Sequence, residues 1–421
     1  MEFRKIADWL DAQAEEMVAL QAELTAIPAL NPEGGGKGEW DKSNMLESWL
    51  KERGLSPAEH YDTPDDRVPE GTRPNFVVRV RGRNKGRRVW VMTHLDVVPP
   101  GERREDGTWA GWDSDPFTLR REGDRIFGRG VEDNQQALVA SAFAALALKE
   151  LGITPPHEVA LLIVSAEETG SAYGFQRLLK DHPELFSPDD IIIVPDGGNE
   201  NGSMIEVAEK SVLWLTFEVI GKQSHGSMPH LGRNAFRAVA QLICALDRGL
   251  RKRFDVHDDL YSPPYSTFEP TKHDKNVPNV NTIPAKEIFS FDCRIMPRFK
   301  LDDVLDYIRA EMARVDKKNG TQTSLTVENR LDAPEQTATD APVVQMVQRA
   351  VKAVYGVEGR PMGIGGSTVA AFFRQAGYPA VVWSSSEGKA HQANESMPIA
   401  HMVGDAKVFA HVFTQESVRP K

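Results

Sequence analysis

Short apolar runs without alternation punctuate the first half of the chain. Residues 89–92 (Val-Trp-Val-Met), 159–164 and 191–194 have the length of strands buried on both faces. Residues 76–80 read as a further strand, and 137–151, with Leu138, Ala142, Leu146 and Leu151 in register, read as a crossover helix. Strands alternating with helices predict an α/β architecture. From Val212 the rhythm changes. Strand 212–220, helix 235–250, strand 288–295, helix 301–315 and strand 324–328 form a compact α+β unit of roughly ferredoxin-like topology. After Pro334 the α/β pattern resumes, with a helix over 343–354 and a strand over 380–383. The expected organisation is a discontinuous α/β domain, 1–210 and 331–421, interrupted by an inserted α+β domain, 211–330. Two stretches, 99–116 with Trp109 and Trp112, and 253–281, rich in Pro and Tyr, read as long loops near a substrate.

Composition narrows the field. At 421 residues the chain is long for one core, so two domains are expected. Fifty basic residues stand against 61 acidic ones, a net charge of −11, which argues against nucleic acid and anionic membranes as partners. The amphipathic N-terminal segment (Ile6, Trp9, Leu10, Met17, Leu20) has no signal-like apolar core, and no apolar run approaches the roughly 20 residues of a membrane helix. Two cysteines, Cys244 and Cys293, give no disulfide framework. They read as small buried apolar residues of a protein in a reducing, cytoplasmic compartment.

The chemistry lies where the strands end. Ser165-Ala166-Glu167-Glu168-Thr169-Gly170 follows strand 159–164. Adjacent carboxylates there repel each other and call for a positive partner. With a divalent metal between them, one glutamate binds it and the other handles a proton. His94-Leu95-Asp96 follows strand 89–92. Asp96 is placed to accept the ring proton of His94 and leave the second nitrogen for a metal. Asp133 lies in Gly128-Arg129-Gly130-Val131-Glu132-Asp133-Asn134, Asp196 ends strand 191–194, and His391 follows strand 380–383. Taken singly, each has an ordinary structural reading: a polar loop histidine, a helix-start acid, a turn aspartate. Taken together, they are imidazole and carboxylate ligands at several strand ends, where ligands of open α/β sheets gather. Such donors suit zinc, cobalt or manganese.

These motifs, in this order, resemble the aminoacylase, carboxypeptidase and dipeptidase family of co-catalytic zinc metallohydrolases, which includes acetylornithine deacetylase and succinyl-diaminopimelate desuccinylase. The resemblance implies a zinc-peptidase α/β domain and an inserted lid that also dimerises. It implies two divalent ions, one held by His94 and Asp196, the other by Glu168 and His391, bridged by Asp133. Asp96 would orient His94, and Glu167 would be the general base. Ser224-His225-Gly226-Ser227-Met228-Pro229 looks like the family's lid motif, whose histidine reaches the partner's site and stabilises an oxyanion. Asn281, Arg294 in Asp292-Cys293-Arg294, and Gly365-Gly366 resemble the segments that hold a substrate carboxylate. Two departures stand out. Asn134-Gln135-Gln136 replaces the family's Lys-Gly pair, and Asp at 196 is more like the dipeptidase and aminoacylase branches. The expected activity is cleavage of dipeptides or N-acyl amino acids bearing a free carboxylate. The alternatives are a deacylase of the acetylornithine or succinyl-diaminopimelate type and, remotely, a metal-free binding protein on the same fold.

Overall fold

The computed structural model describes residues 2–416 apart from 56 and 85. The chain divides into two compact units. Met1–Val207, Thr337–Pro361 and Thr368–Lys421 form the first; Ala208–Gln336 and Met362–Ser367 form the second.

The first unit is built on a mixed eight-stranded sheet. From edge to edge its strands are Ala58–His60, Phe76–Val80, Glu158–Val164, Arg88–His94, Ile191–Asn199, Ala380–Ser385, Met204–Glu209 and Arg360–Ile364. The four central strands, from Glu158–Val164 to Ala380–Ser385, run parallel. Antiparallel neighbours flank them. The apolar runs read from the sequence are these central strands, buried on both faces as parallel strands are. Helix Gln135–Glu150 is buried from Gln135 to Leu148 on every side. It packs against sheet strands and also against helices Ile399–Thr414, Glu2–Ala12 and Ala14–Thr25, which explains an apolar surface all round. Among the described residues no helix is long and apolar enough to cross a membrane.

The second unit has the order βαββαβ. Its antiparallel sheet runs Thr267–His273, Lys286–Ile295, Ser211–Ile220, Gln322–Leu331. Alternate residues of the two inner strands (Leu213, Leu215, Phe217; Phe289, Phe291, Cys293) share one core with helices Ala235–Arg253 and Leu301–Asn319. Two expectations change here. Part of the supposed loop 253–281 is the edge strand Thr267–His273. Only Phe268 of it is buried and Pro270 interrupts it, so it carries little strand signal. Cys244 is exposed rather than buried, because helix Ala235–Arg253 turns the stripe Ala238, Val239, Leu242, Leu246 inward and leaves Cys244 off it.

Beneath the carboxyl ends of the parallel strands lies a buried charge network. Arg73 is wholly buried and its guanidinium engages Glu39, Asp65 and the side-chain oxygen of Asn31. Removing the cation leaves buried Glu39 without its ion partner, while Asp65 keeps Arg67 (2.8 and 2.9 Å); breaking one such buried pair costs about 3–5 kcal/mol. Arg73→Met should therefore lower the urea midpoint of the metal-free protein by that order of stability. A midpoint equal to wild type would show that the network contributes nothing to holding this unit.

Candidate metal centre

His94, Asp96, Glu167, Glu168 and His391 sit at or beyond the carboxyl end of a central strand, Asp196 lies in the last four residues of strand Ile191–Asn199, and Asp133 precedes helix Gln135–Glu150. His94 is the last residue of its strand and pairs in register with Val164. Val164 leads into the turn that carries Glu167 and Glu168. Ala166 bends that turn in the left-handed region, at φ 56°. Three successive amides of the turn are held by two buried carboxylates. Ala166 N–H donates to Glu39 (3.2 Å), Glu167 N–H to Asp96 Oδ1 (3.1 Å) and Glu168 N–H to Asp96 Oδ2 (3.0 Å). Asn31 donates to the same Asp96 carboxylate at 2.8 Å. Asp96 thus fixes both glutamates through their backbone.

His94 is held by Asp96 too, but chiefly through the main chain. Its Nδ1 lies 3.0 Å from the Asp96 carbonyl oxygen and 3.5 Å from the carboxylate. Nε2 then faces Asp133 Oδ1 (3.1 Å), Asp196 (3.7 Å) and Glu167 (4.0 Å). The second Asp133 oxygen lies 3.1 Å from His391 Nε2, which also meets Glu168 at 2.9 Å. His391 has φ 63°, a left-handed conformation costly for a residue with a side chain. Gly130, at φ 87°, allows the preceding loop to close: a Cβ there would sit 2.6 Å from Val97.

The electrostatics are those of a site short of positive charge. Burial, then the charge of Asp196, raise the Glu167 carboxyl well above the usual carboxylate range. Burial likewise raises Glu168 and Asp196. Burial opposes ionisation of Asp133, but hydrogen bonds from His391 and His94 outweigh it and lower its pKa. Hydrogen bonds to Asp133 and Glu168 push His391 up to about 10. His94 is raised well above its ordinary value: its burial is overcome by hydrogen bonds to Asp133, Asp196 and Asp96. In the absence of a cation, protons on imidazoles do the neutralising. Among the described residues, ligand atoms of His94, Glu167 and Asp196, and of His94, Asp133 and Glu168, lie within 4.8 Å of one another. The donors are hard oxygens and imidazole with no thiolate, and the set fits divalent cations.

Sequence reasoning passed over three side chains that build this centre. Asn134 donates to the Pro195 carbonyl beside Asp196 (2.7 Å). Glu395 is buried and accepts the amides of Gly130, Glu132 and Asp133 (3.0–3.1 Å) and the Arg129 guanidinium (2.6 Å). Glu132 holds the loop before His391. Trp112 belongs to the same shell: it is buried, gives its indole N–H to Pro100, and has the Arg129 guanidinium 5.2 Å from its ring. In the second unit two pairs come together. His225, exposed, has Nε2 3.5 Å from the Asn281 amide nitrogen and Nδ1 2.7 Å from Ser227 Oγ. Arg294 is forked onto Asp292 (2.6 and 2.9 Å) and donates to the Gly365 carbonyl (2.9 Å); Gly366 follows.

Fold and site define a metal-dependent hydrolase of amide bonds. The family model for peptidase family M20/M25/M40 matches residues 90–415, and the chain belongs to that family. It is 35% identical to an uncharacterized metallohydrolase of Methanocaldococcus jannaschii over 94% of this chain and 98% of that one. It is 28% identical to a succinyl-diaminopimelate desuccinylase of Dinoroseobacter shibae, covering 91% and 95%. The crystal structure of human carnosine dipeptidase 1 shares the fold, with a TM-score of 0.73 at 17% identity and 98% coverage of both chains.

With His391 at about 10, its imidazole must lose a proton before it can ligate. Metal affinity of the apo protein should therefore rise with pH up to about 10, with proton release on binding at pH 7. Calorimetry in two buffers of different ionisation enthalpy reads that release. A binding heat independent of buffer at pH 7 would remove the protonated imidazole from the apo site.

Proposed function

We propose that this protein is a two-metal amidohydrolase cleaving dipeptides or N-acyl amino acids that carry a free carboxylate. The reading is carried by the Asp133 carboxylate, one oxygen 3.1 Å from His94 and the other 3.1 Å from His391. A carboxylate divided in this way between two imidazoles fits a ligand shared by two ions. One position takes His94 and Asp196, the other Glu168 and His391. Zinc suits these donors best, with cobalt or manganese as substitutes. When bound, the ions polarise the scissile carbonyl and lower the pKa of the attacking water. Glu167 lies farther from His94 Nε2 than Asp133 or Asp196 does, and its carboxyl has a high proton affinity. It is the general base: it accepts a proton from water and delivers it to the leaving amine.

The second unit, as a lid, supplies the remaining groups. Exposed His225, with Asn281 beside it, donates to the oxyanion from the partner subunit of a homodimer. Arg294, Gly365 and Gly366 receive the substrate carboxylate, Asp292 keeping the guanidinium in plane until the substrate competes for it. We assign the protein to the cytoplasm, in keeping with two unpaired cysteines. The desuccinylase relative supports a second reading, deacylation of an N-acyl amino acid at the same centre. Hydrolysis of a panel of dipeptides, N-acetyl and N-succinyl amino acids, with each metal, separates the two; no turnover of any amide would defeat both.

Exchange of the adjacent glutamates tests their division of labour. Glu167→Ala should abolish turnover with metal content unchanged. Glu168→Ala should lose metal. Full occupancy in Glu168→Ala, with metal lost from Glu167→Ala, would reverse the assignment.

His225→Ala should lose about 10²–10³ in kcat, the usual cost of one oxyanion donor. Mixed with inactive Glu167→Ala protein, it should regain part of the activity, since a mixed dimer has one site with both groups. No recovery after verified subunit exchange would place His225 in its own chain's site or outside the mechanism.

A further inference from the structure

We infer that Glu132 is a positioning residue for His391, and that it governs one of the two metal positions and not the other. Glu132 immediately precedes Asp133, yet its carboxylate faces the loop leading to His391 and is 8% exposed. Oε1 accepts Glu387 N–H (2.8 Å) and Ser386 Oγ–H (3.1 Å); Oε2 accepts the amides of Lys389 and Ala390 (2.8 Å for Ala390). A carboxylate has about four acceptor sites. All are taken, so Glu132 has no oxygen left for a cation, and its role is to fix four donors, from Ser386, Glu387, Lys389 and Ala390.

His391 needs such a hold. It lies outside any helix or strand, its backbone is left-handed, and its side chain is 55% exposed. Packing does not fix the ring. A strained conformation persists only where its surroundings over-determine it. Here the over-determination is the row of amides bound by Glu132, which ends one residue before His391.

Glu395 returns the arrangement from the other side. It lies four residues after His391 and binds the amides of Gly130, Glu132 and Asp133. The two loops therefore exchange carboxylates, each acid gripping the other loop's backbone. The consequences differ. Asp133, the residue steadied by Glu395, faces both imidazoles, whereas the loop steadied by Glu132 carries only His391. Loss of Glu132 should unload the His391–Glu168 position and spare the His94–Asp196 position. This inference rests on the ligand division proposed above.

The test is metal titration of the apo proteins, with zinc against a chromophoric chelator and with cobalt read by its visible absorption, for wild type, Glu132→Ala, Glu132→Gln and His391→Ala. Loss of an outer partner of a ligand costs about 10–100-fold in metal affinity. Glu132→Ala should bind one equivalent as wild type does and the second about 10–100-fold more weakly. Glu132→Gln keeps one acceptor oxygen for two of the four donors and should fall between. Apo melting temperatures separate positioning from support: a purely structural Glu132 would lower apo stability and leave both affinities alone. Two wild-type affinities in both Glu132 variants, while His391→Ala loses one ion, would overturn the inference and leave the ligand division standing. Equal weakening of both ions would overturn the selectivity. Two unaltered ions in His391→Ala would sink the division and the inference together. Should Glu132→Ala fail to fold, the isosteric Glu132→Gln decides alone.

Discussion

Buried negative charge at the carboxyl ends of parallel strands is the constraint on which the rest of the first unit depends. Asp96, Asp133, Glu167, Glu168 and Asp196 converge on His94 and His391. Two imidazoles cannot neutralise five carboxylates even when both are charged. The protein responds by retaining protons where it can, raising His94, His391 and Glu167 together. Such a cluster is expensive to fold around water alone. It becomes a stable arrangement when divalent cations replace the protons, and metal binding to it is then also folding free energy.

Around this centre the fold answers chiefly with backbone, with Lys42 as a buried cation near Asp96, Glu39 and Glu395. Asp96 and Glu39 take the amides of the Glu167 turn; Glu395 and Glu132 take those of the two ligand loops. These four acids are buried and hydrogen-bonded, so they add charge without adding freedom. Arginine enters only one shell further out, as Arg73 beneath Glu39 and Arg129 beneath Glu395. Cations placed that far away steady the acids without competing with a metal for Asp133.

The sequence disclosed the parts of this design that have a period or a position. Central strands read as apolar runs, and His94, Asp96, Glu167, Glu168, Asp196 and His391 stood out because each follows such a run, whereas Asp133 stood out by its glycine-flanked motif before a helix. The acid–amide contacts had no comparable signal. Glu132 and Glu395 lie within four residues of Asp133 and His391, but their partners, mostly backbone groups, are more than 250 residues away along the chain, which no spacing rule reaches. A tryptophan beside a metal motif suggests a substrate contact, whereas here the Trp112 ring is buried beside the Arg129 guanidinium that pairs with Glu395. The edge strand Thr267–His273 escaped notice because an edge has only one neighbour to satisfy and tolerates Pro270.

One consequence joins the metal to the acid–base chemistry. Burial raises the Glu167 carboxyl first, and the charges of Asp196 and Glu168 raise it further. On the proposed assignment those two neighbours are metal ligands. A cation bound to them would offset that repulsion and leave burial and the charge of Asp96 as the causes that raise the carboxyl. The carboxyl then falls towards the range in which a general base near neutral pH is most effective. On that assignment metal loading would lower the proton affinity of Glu167, first through Asp196 and then through Glu168.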